Sequence, residues 1–186
     1  KDIEAGKDSN SATEIKIDVP KNSGKTTVEI PVDNVTSGTV AVIVHPDGTE
    51  EIAKSSKPTE DGVQLEIDGS ATVKIIDNSK DFIDTRDHWS RDEVNFVAAR
   101  ELFNGVGNNQ FGVSQPMTRG MVNTVLARLA GVDTTPSQGQ AWYEVGTDWA
   151  KKNGISDGTD PTAPVTREQL ATLLYRYAGS PSVSGT

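Results

Sequence analysis

Two threonine–arginine pairs, Thr118-Arg119 and Thr166-Arg167, stand 48 residues apart, and two tryptophans, Trp89 and Trp142, stand 53 apart. A guanidinium is a rigid fork of N–H donors that fits a carboxylate. Each arginine directly follows a threonine suited to cap a helix start, where free backbone N–H groups and the helix dipole also favour an anion. An indole offers a flat apolar face beside such a charge. These residues have bland readings as well. Either arginine could pair with a neighbouring acid, Glu168 in the case of Arg167, and either tryptophan could fill space between helices. Phe96 and Trp149 lie on helical stripes and are expected in the core. Arg128 and Arg176 fall late in their helices, where cations suit the dipole, and no ligand role is expected of them.

Nothing comparable points to catalysis or to a metal. There is no cysteine, which excludes disulfides, thiolate zinc sites and a thiol nucleophile. His45 and His88 are the two histidines and have no metal-ligand spacing between them. Ser23-Gly24-Lys25-Thr26 lacks the leading glycine of a phosphate loop, since Val19 stands there, and a strand pattern rather than a helix follows. Asp157-Gly158-Thr159-Asp160 lacks the ligand series of a calcium loop and its closing Glu. Asn34-Val35-Thr36 is a three-residue glycosylation sequon and carries little weight. No carboxylate pair is singled out for glycoside hydrolysis. The chain is therefore read as a non-enzyme, without cofactor or metal, and a surface hydrolase fragment is the least favoured reading.

Composition narrows the partners. The 186 residues carry a net charge of -9, which argues against a nucleic-acid or anionic-membrane binder, because phosphate neutralisation needs a basic surface. No apolar run approaches the roughly 18 to 20 residues of a membrane span. The start, Lys1-Asp2-Ile3-Glu4, has no apolar stretch of a signal peptide, so any such peptide is expected to be gone already.

The elements that must position these side chains fall into two compositional halves. Residues 1–80 contain no aromatic residue and no arginine; all ten aromatics and all seven arginines lie at or after Phe82. The boundary is placed near Asn78-Ser79-Lys80. The first half alternates apolar and polar residues over 15–19, 28–32, 63–67 and 73–75, the period of a half-buried strand. Val40-Ala41-Val42-Ile43-Val44 is nearly continuous, as in a central strand covered on both faces. His45-Pro46-Asp47-Gly48 predicts a turn and Glu50-Glu51-Ile52 the returning strand. The second half is helical. Ser90-Arg91-Asp92-Glu93 and Thr166-Arg167-Glu168-Gln169 predict capping boxes, and Thr118 caps a third helix ending at Gly131. A fourth spans Trp142 to Lys152.

These helices repeat. Adding 53 takes Trp89 to Trp142, Phe96 to Trp149, Leu102 to Ile155, Asn104 to Asp157 and Gly105 to Gly158. Adding 48 takes Thr118-Arg119 to Thr166-Arg167, Leu126 to Leu174 and Gly131 to Gly179. The five-residue difference falls in a loop, where insertions belong. One helix pair cannot bury its stripe alone, so the units must pack together. The expected fold is α+β: a small antiparallel β-sandwich over 13–80, after a polar and disordered 1–12, then an all-α bundle of two helix-pair repeats over 81–132 and 133–180, with 181–186 a linker.

Phe82-Ile83-Asp84, His88-Trp89, Leu102-Phe103-Asn104-Gly105, Phe111 and Met117-Thr118-Arg119 resemble the S-layer homology repeat. So do Trp142, Trp149-Ala150, Asn153-Gly154-Ile155-Ser156-Asp157-Gly158 and Val165-Thr166-Arg167-Glu168. The hallmark Thr-Arg-Ala-Glu is kept in its first two positions and departs in the next two, Gly120-Met121 and Glu168-Gln169. The resemblance implies a secreted, non-catalytic module on the bacterial cell surface, cell wall or S-layer, holding secondary cell-wall polysaccharide that carries ketal pyruvate. It implies that Arg119 and Arg167 grip the carboxylate, Trp89 and Trp142 stack on sugar faces, and Asp84, Asn104 and Asp157 bond hydroxyls. Gly105 and Gly158 would let backbone approach the sugar. Such repeats usually come in threes, so a third repeat or sister chains are expected partners. The alternative is an assembly element in which the repeats pack with those partners and hold no glycan.

Overall fold

Val and Ile alternating with charged residues build two four-stranded sheets among the described residues. The structure is a computed structural model that describes residues 2–6 and 8–179; the expected linker 181–186 lies outside them. One sheet has the order β1 (Ile3–Glu4), β3 (Lys25–Asp33), β7 (Gly62–Asp68), β6 (Lys57–Pro58). The other runs β2 (Ile15–Ile17), β8 (Ala71–Asp77), β4 (Thr39–Val44), β5 (Glu50–Ile52). The fold is α+β, with four α-helices following the strands: α1 (Arg91–Ala99), α2 (Arg119–Leu129), α3 (Glu144–Lys152) and α4 (Arg167–Tyr177). None is long and apolar enough to cross a membrane.

The pairing is antiparallel except at the start. Ile3–Glu4, in the stretch expected to be disordered, pairs parallel with Val32–Asp33 on the edge of the first sheet. The hairpin at His45 closes as its residues dictate: His45 N–H donates to the Thr49 carbonyl at 2.8 Å, and Gly48 takes φ +86°. One aliphatic core draws on both sheets, with Ile30, Val32, Val63, Leu65 and Ile67 from one and Ala41, Val73 and Ile75 from the other. Period 2 then sends Val40, Val42 and Ile76 to the opposite face of the second sheet, where they bury Ala99 of α1. Strand β4 is thus covered on both sides, as its unbroken apolar run requires.

The chain divides into two compact units, residues 1–113 and 114–186. The division does not follow the composition shift at 78–80, and its physical cause is Arg100. This residue, the C-cap of α1, is fully buried. Its guanidinium donates to the carbonyls of Ser56 at 2.7 Å, Ser37 at 3.0 Å, Thr39 at 3.1 Å and Phe96 at 3.1 Å. It also lies 3.8 Å from the centre of the Phe96 ring, so Phe96 serves a buried cation as well as an apolar stripe. Desolvation lowers the Arg100 pKa to about 10, which leaves it charged at neutral pH. Around it, the Asn78 amide donates to the Ala99 carbonyl at 2.6 Å, and Lys80 N–H donates to Asn95 Oδ1 at 2.8 Å. The segment between sheet and helix is bonded into the first unit.

The capping box expected at Ser90 does not form. The Ser90 hydroxyl bonds His88 Nδ1 at 2.8 Å instead, and no side chain caps α1. Thr166 and Gln169 do make theirs, with Thr166 N–H donating to Gln169 Oε1 at 3.0 Å. Thr118 accepts from Met121 N–H at 3.2 Å, and the Met121 sulfur takes the place of the usual carboxylate in accepting from Thr118 N–H.

The helix bounds show the same two offsets as the sequence. Helices α1 and α3 are both 9 residues and offset by 53; α2 and α4 are both 11 and offset by 48. After α1, Leu102 N–H donates to the Val97 carbonyl, and after α3, Ile155 N–H donates to that of Ala150, the same bond in register. Glu101 (φ +57°) occupies the left-handed position that Gly154 (φ +69°) fills 53 residues on. In the second unit Val122, Leu126, Ala150, Ile155 and Leu173 form the core, with Trp149 packed against it. Helices α2 and α3 approach closely at Gly146, where an added Cβ would lie 2.6 Å from the Thr124 Cα.

Replacing Arg100 with Met takes the guanidinium donor from four carbonyl groups, those of Ser56 and Thr39 in buried bonds. Arg100→Met is expected to lower stability by about 3 kcal/mol, measured by denaturant unfolding. A loss below about 1 kcal/mol would mean that Ala99 and its neighbours hold α1 unaided.

Candidate functional site

In the first unit, Asp84 lies in a short 3-10 turn, Ile83–Thr85. Its carboxylate accepts from the backbone N–H groups of Phe111 at 2.8 Å, Gly112 at 2.8 Å and Val113 at 3.3 Å. The bond from Phe111, with those from Gly112 and Val113, holds the Asp84 carboxyl below its usual range. Asp84 thus ties the entry to α1 to the loop beyond it. Gly105 has an equally local reason: an added Cβ would lie 2.6 Å from the Gln110 carbonyl oxygen and 2.7 Å from the Phe82 ring. Asn104 is exposed. Trp89 is 84% exposed, far beyond what a packing role allows, with the His88 ring 5.4 Å away.

In the second unit, the segments leading into α2 and α4 pair like two strand ends. Arg119 N–H donates to the Ala163 carbonyl at 3.0 Å, and Val165 N–H to that of Met117 at 2.9 Å. Both threonine–arginine starts are thereby brought to one place. Gly120 N–H donates to the Pro161 carbonyl at 2.7 Å. With Met121 N–H on the Thr118 hydroxyl, the first three N–H groups of α2 are all used by the chain itself. The helix-start anion site anticipated at Arg119 is therefore closed at the backbone, and the side chain alone is left to serve.

That side chain is loosely held. Arg119 Nη1 lies 3.4 Å from both the carbonyl and the hydroxyl of Thr159 and 3.7 Å from the Asp160 carboxylate, all long contacts. Its Nε is buried with no hydrogen-bond partner. The Asp157 carboxylate accepts from the Thr159 N–H at 2.9 Å and hydroxyl at 2.8 Å. These bonds lower its pKa, with a smaller contribution from the Arg119 and Arg176 charges. Gly158, at φ +79°, sits inside this turn, a conformation that calls for glycine. Trp142 is 47% exposed and meets Tyr143 edge-on, ring centres 5.3 Å apart. Tyr143 packs where a Cβ on Gly120 would stand, 2.8 Å away. Arg119, the 157–160 turn and the Trp142–Tyr143 pair thus gather around the start of α2. Arg167 is the first residue of α4; its side chain lies outside the described residues.

Thr159, Asp160 and Tyr143 were not marked by the sequence argument. The 157–160 run carried the signal for two of them, and it was set aside there as a failed calcium loop.

A carboxyl held below its unfolded value stabilises the fold above that value, about 3.9 for Asp, and loses the contribution as pH falls through the folded one. The melting temperature of Asp84→Asn should therefore decline less steeply than that of the parent between about pH 5 and pH 3. Parallel declines would remove Asp84 from the groups that sense acid.

Known proteins agree with this picture in one stretch. Residues 81–120 match the S-layer homology domain. Exoglucanase XynX of Acetivibrio thermocellus is 24% identical over 113 residues, which is 55% of this chain and 10% of that protein. The amylopullulanase of Thermoanaerobacterium thermosulfurigenes is 25% identical over 108 residues, 52% of this chain and 6% of that protein. The chain thus spans a tenth or less of these relatives' length. No solved structure matches significantly. Asp84, Trp89, Asn104, Gly105 and Arg119 all fall within the stretch that matches the S-layer homology domain.

Proposed function

We propose that this chain is a non-catalytic anchoring module that holds a secreted protein on the bacterial cell envelope by binding cell-wall polysaccharide. The observation that carries the reading is Trp89: an indole 84% exposed inside the matched segment. Leaving so large an apolar face in water is costly unless a ligand covers it. The relatives fit the same picture, because two large proteins named as polysaccharide-degrading enzymes share with this chain only a tenth or less of their length.

The finer assignment is a wall glycan bearing acidic ketal pyruvate. Arg119 supplies the cation, with donors to spare because its contacts to Thr159 and Asp160 are long. Trp142 supplies a second stacking face beside it. Arg167 stands as the equivalent cation of the second repeat. Asn104 and Asp157 remain exposed acceptors for hydroxyls. Asp84, Gly105 and Gly158 are reassigned to holding the loops that present these groups. Exposed Leu174 and Leu129, 48% and 43% accessible, favour a second reading in which a third repeat or sister chains cover the helices. Growth of the particle with protein concentration in light scattering, with no response to glycan, would select it.

The direct experiment is co-sedimentation with purified cell walls before and after removal of their polysaccharide. Binding should vanish on stripped walls. Trp89→Ala and Arg119→Ala should each weaken binding at least about tenfold while moving the melting temperature by no more than about 2 °C. Undiminished sedimentation on stripped walls would overturn the reading, and a melting loss that parallels the binding loss would make the two residues structural.

A further inference from the structure

The first unit contains a cleft of about 310 Å³ that none of the site residues above lines. Its walls come from three segments: the loop before β4, the segment after β8, and the first turns of α1. The walls are held by hydrogen bonds between the segments. Arg100 grips the Ser37 carbonyl, Asn95 grips Lys80 N–H, and Asn78 grips the Ala99 carbonyl. A site assembled this way loses little entropy when a ligand enters.

The lining states what would enter. Thr36 and Ser37 present hydroxyls and Asn95 an amide, while the Ser79 hydroxyl is spent on the Asp77 carboxylate; the lining has no aromatic or aliphatic residue. Lys80 and Arg91 bring cations, Asp81 and Asp92 carboxylates. The Asp81 carboxylate is already occupied, because Arg86 binds it through Nε at 3.1 Å and Nη2 at 2.6 Å. Counting Arg86 and also Asp77, which accepts from the Ser79 N–H at 3.0 Å, the immediate surroundings are neutral overall, so the placement of Lys80 and Arg91 is what favours an acid. The Arg91 guanidinium touches the Arg86 carbonyl at 3.4 Å and enters no ion pair among the described residues, so its fork is available. Asp92 is an acceptor beside it. The volume is at the low end for ligand sites, about 300–1,000 Å³, which suits one ring rather than a chain.

We propose that this cleft binds a single polyhydroxylated carboxylate, such as a hexuronate, with the acid on Arg91 and Lys80 and the hydroxyls on Asn95, Asp92, Thr36 and Ser37. The assignment does not depend on the wall-binding reading. Asp81, Arg91, Asp92 and Asn95 of the cleft's lining fall inside the matched stretch and Thr36, Ser37, Ser79 and Lys80 outside it, and none of the eight is assigned to wall binding.

The test is an amide-resonance titration of the whole chain with sodium glucuronate, and with glucose as the neutral probe. Saturable shifts should appear at Ser37, Lys80, Arg91 and Asn95 with a dissociation constant on the order of millimolar. Glucose should bind at least about tenfold more weakly. Arg91→Gln should weaken glucuronate at least about tenfold, and Lys25→Gln, a charge change outside the cleft, should not. Absence of shifts in the parent chain, equal response to glucose, or full binding by Arg91→Gln in a chain with parental spectra would overturn the proposal. Because wall sedimentation is measured separately, loss of either result leaves the other standing.

Discussion

A guanidinium with no carboxylate partner joins the two kinds of secondary structure in the first unit. Arg100 is taken wholly out of water, which costs several kcal/mol for an ion. The cost is met by four backbone carbonyls, three from the β-strand region and one from its own helix, and by the face of Phe96. The outward face of β4 and β8 is apolar so that Ala99 can lie flat on it, and the segment 77–80 is bonded at each step rather than left as a tether. The helix that opens the S-layer homology segment is consequently part of the β-unit's fold.

Much of this architecture was legible in the residues. Period-2 alternation located the strands, and the unbroken run 40–44 correctly announced a strand with two covered faces. The offsets of 53 and 48 found by matching tryptophans and threonine–arginine pairs reappear as the offsets of the helices themselves. Those signals are local or periodic, and each residue contributes to them independently.

What stayed hidden depends on partners far along the chain. Arg100 reads as an ordinary exposed cation at a helix end, because its acceptors are carbonyls 44 to 63 residues away, which have no sequence signature. The N–H groups of α2 looked open for the same reason: Pro161 and Ala163 reach them from across the repeat. Asp84 looked like a ligand until Phe111, Gly112 and Val113 claimed both its oxygens. The Ser90 box failed through a competitor two residues away, since a ring nitrogen of His88 outbids the backbone for the hydroxyl. The candidate site therefore narrows to groups with unspent capacity: an exposed indole, a loosely held guanidinium and a second indole beside it.

The absence of an acid at Arg100 has an environmental meaning. Carbonyl dipoles neither titrate nor exchange for dissolved anions, and a joint sealed from solvent is beyond the reach of ionic screening. The exposed Arg86–Asp81 pair on the same unit, by contrast, weakens in brine and dissolves when its carboxylate takes a proton. The unit's most buried cation is fastened by the kind of bond that changes of salinity and acidity leave alone.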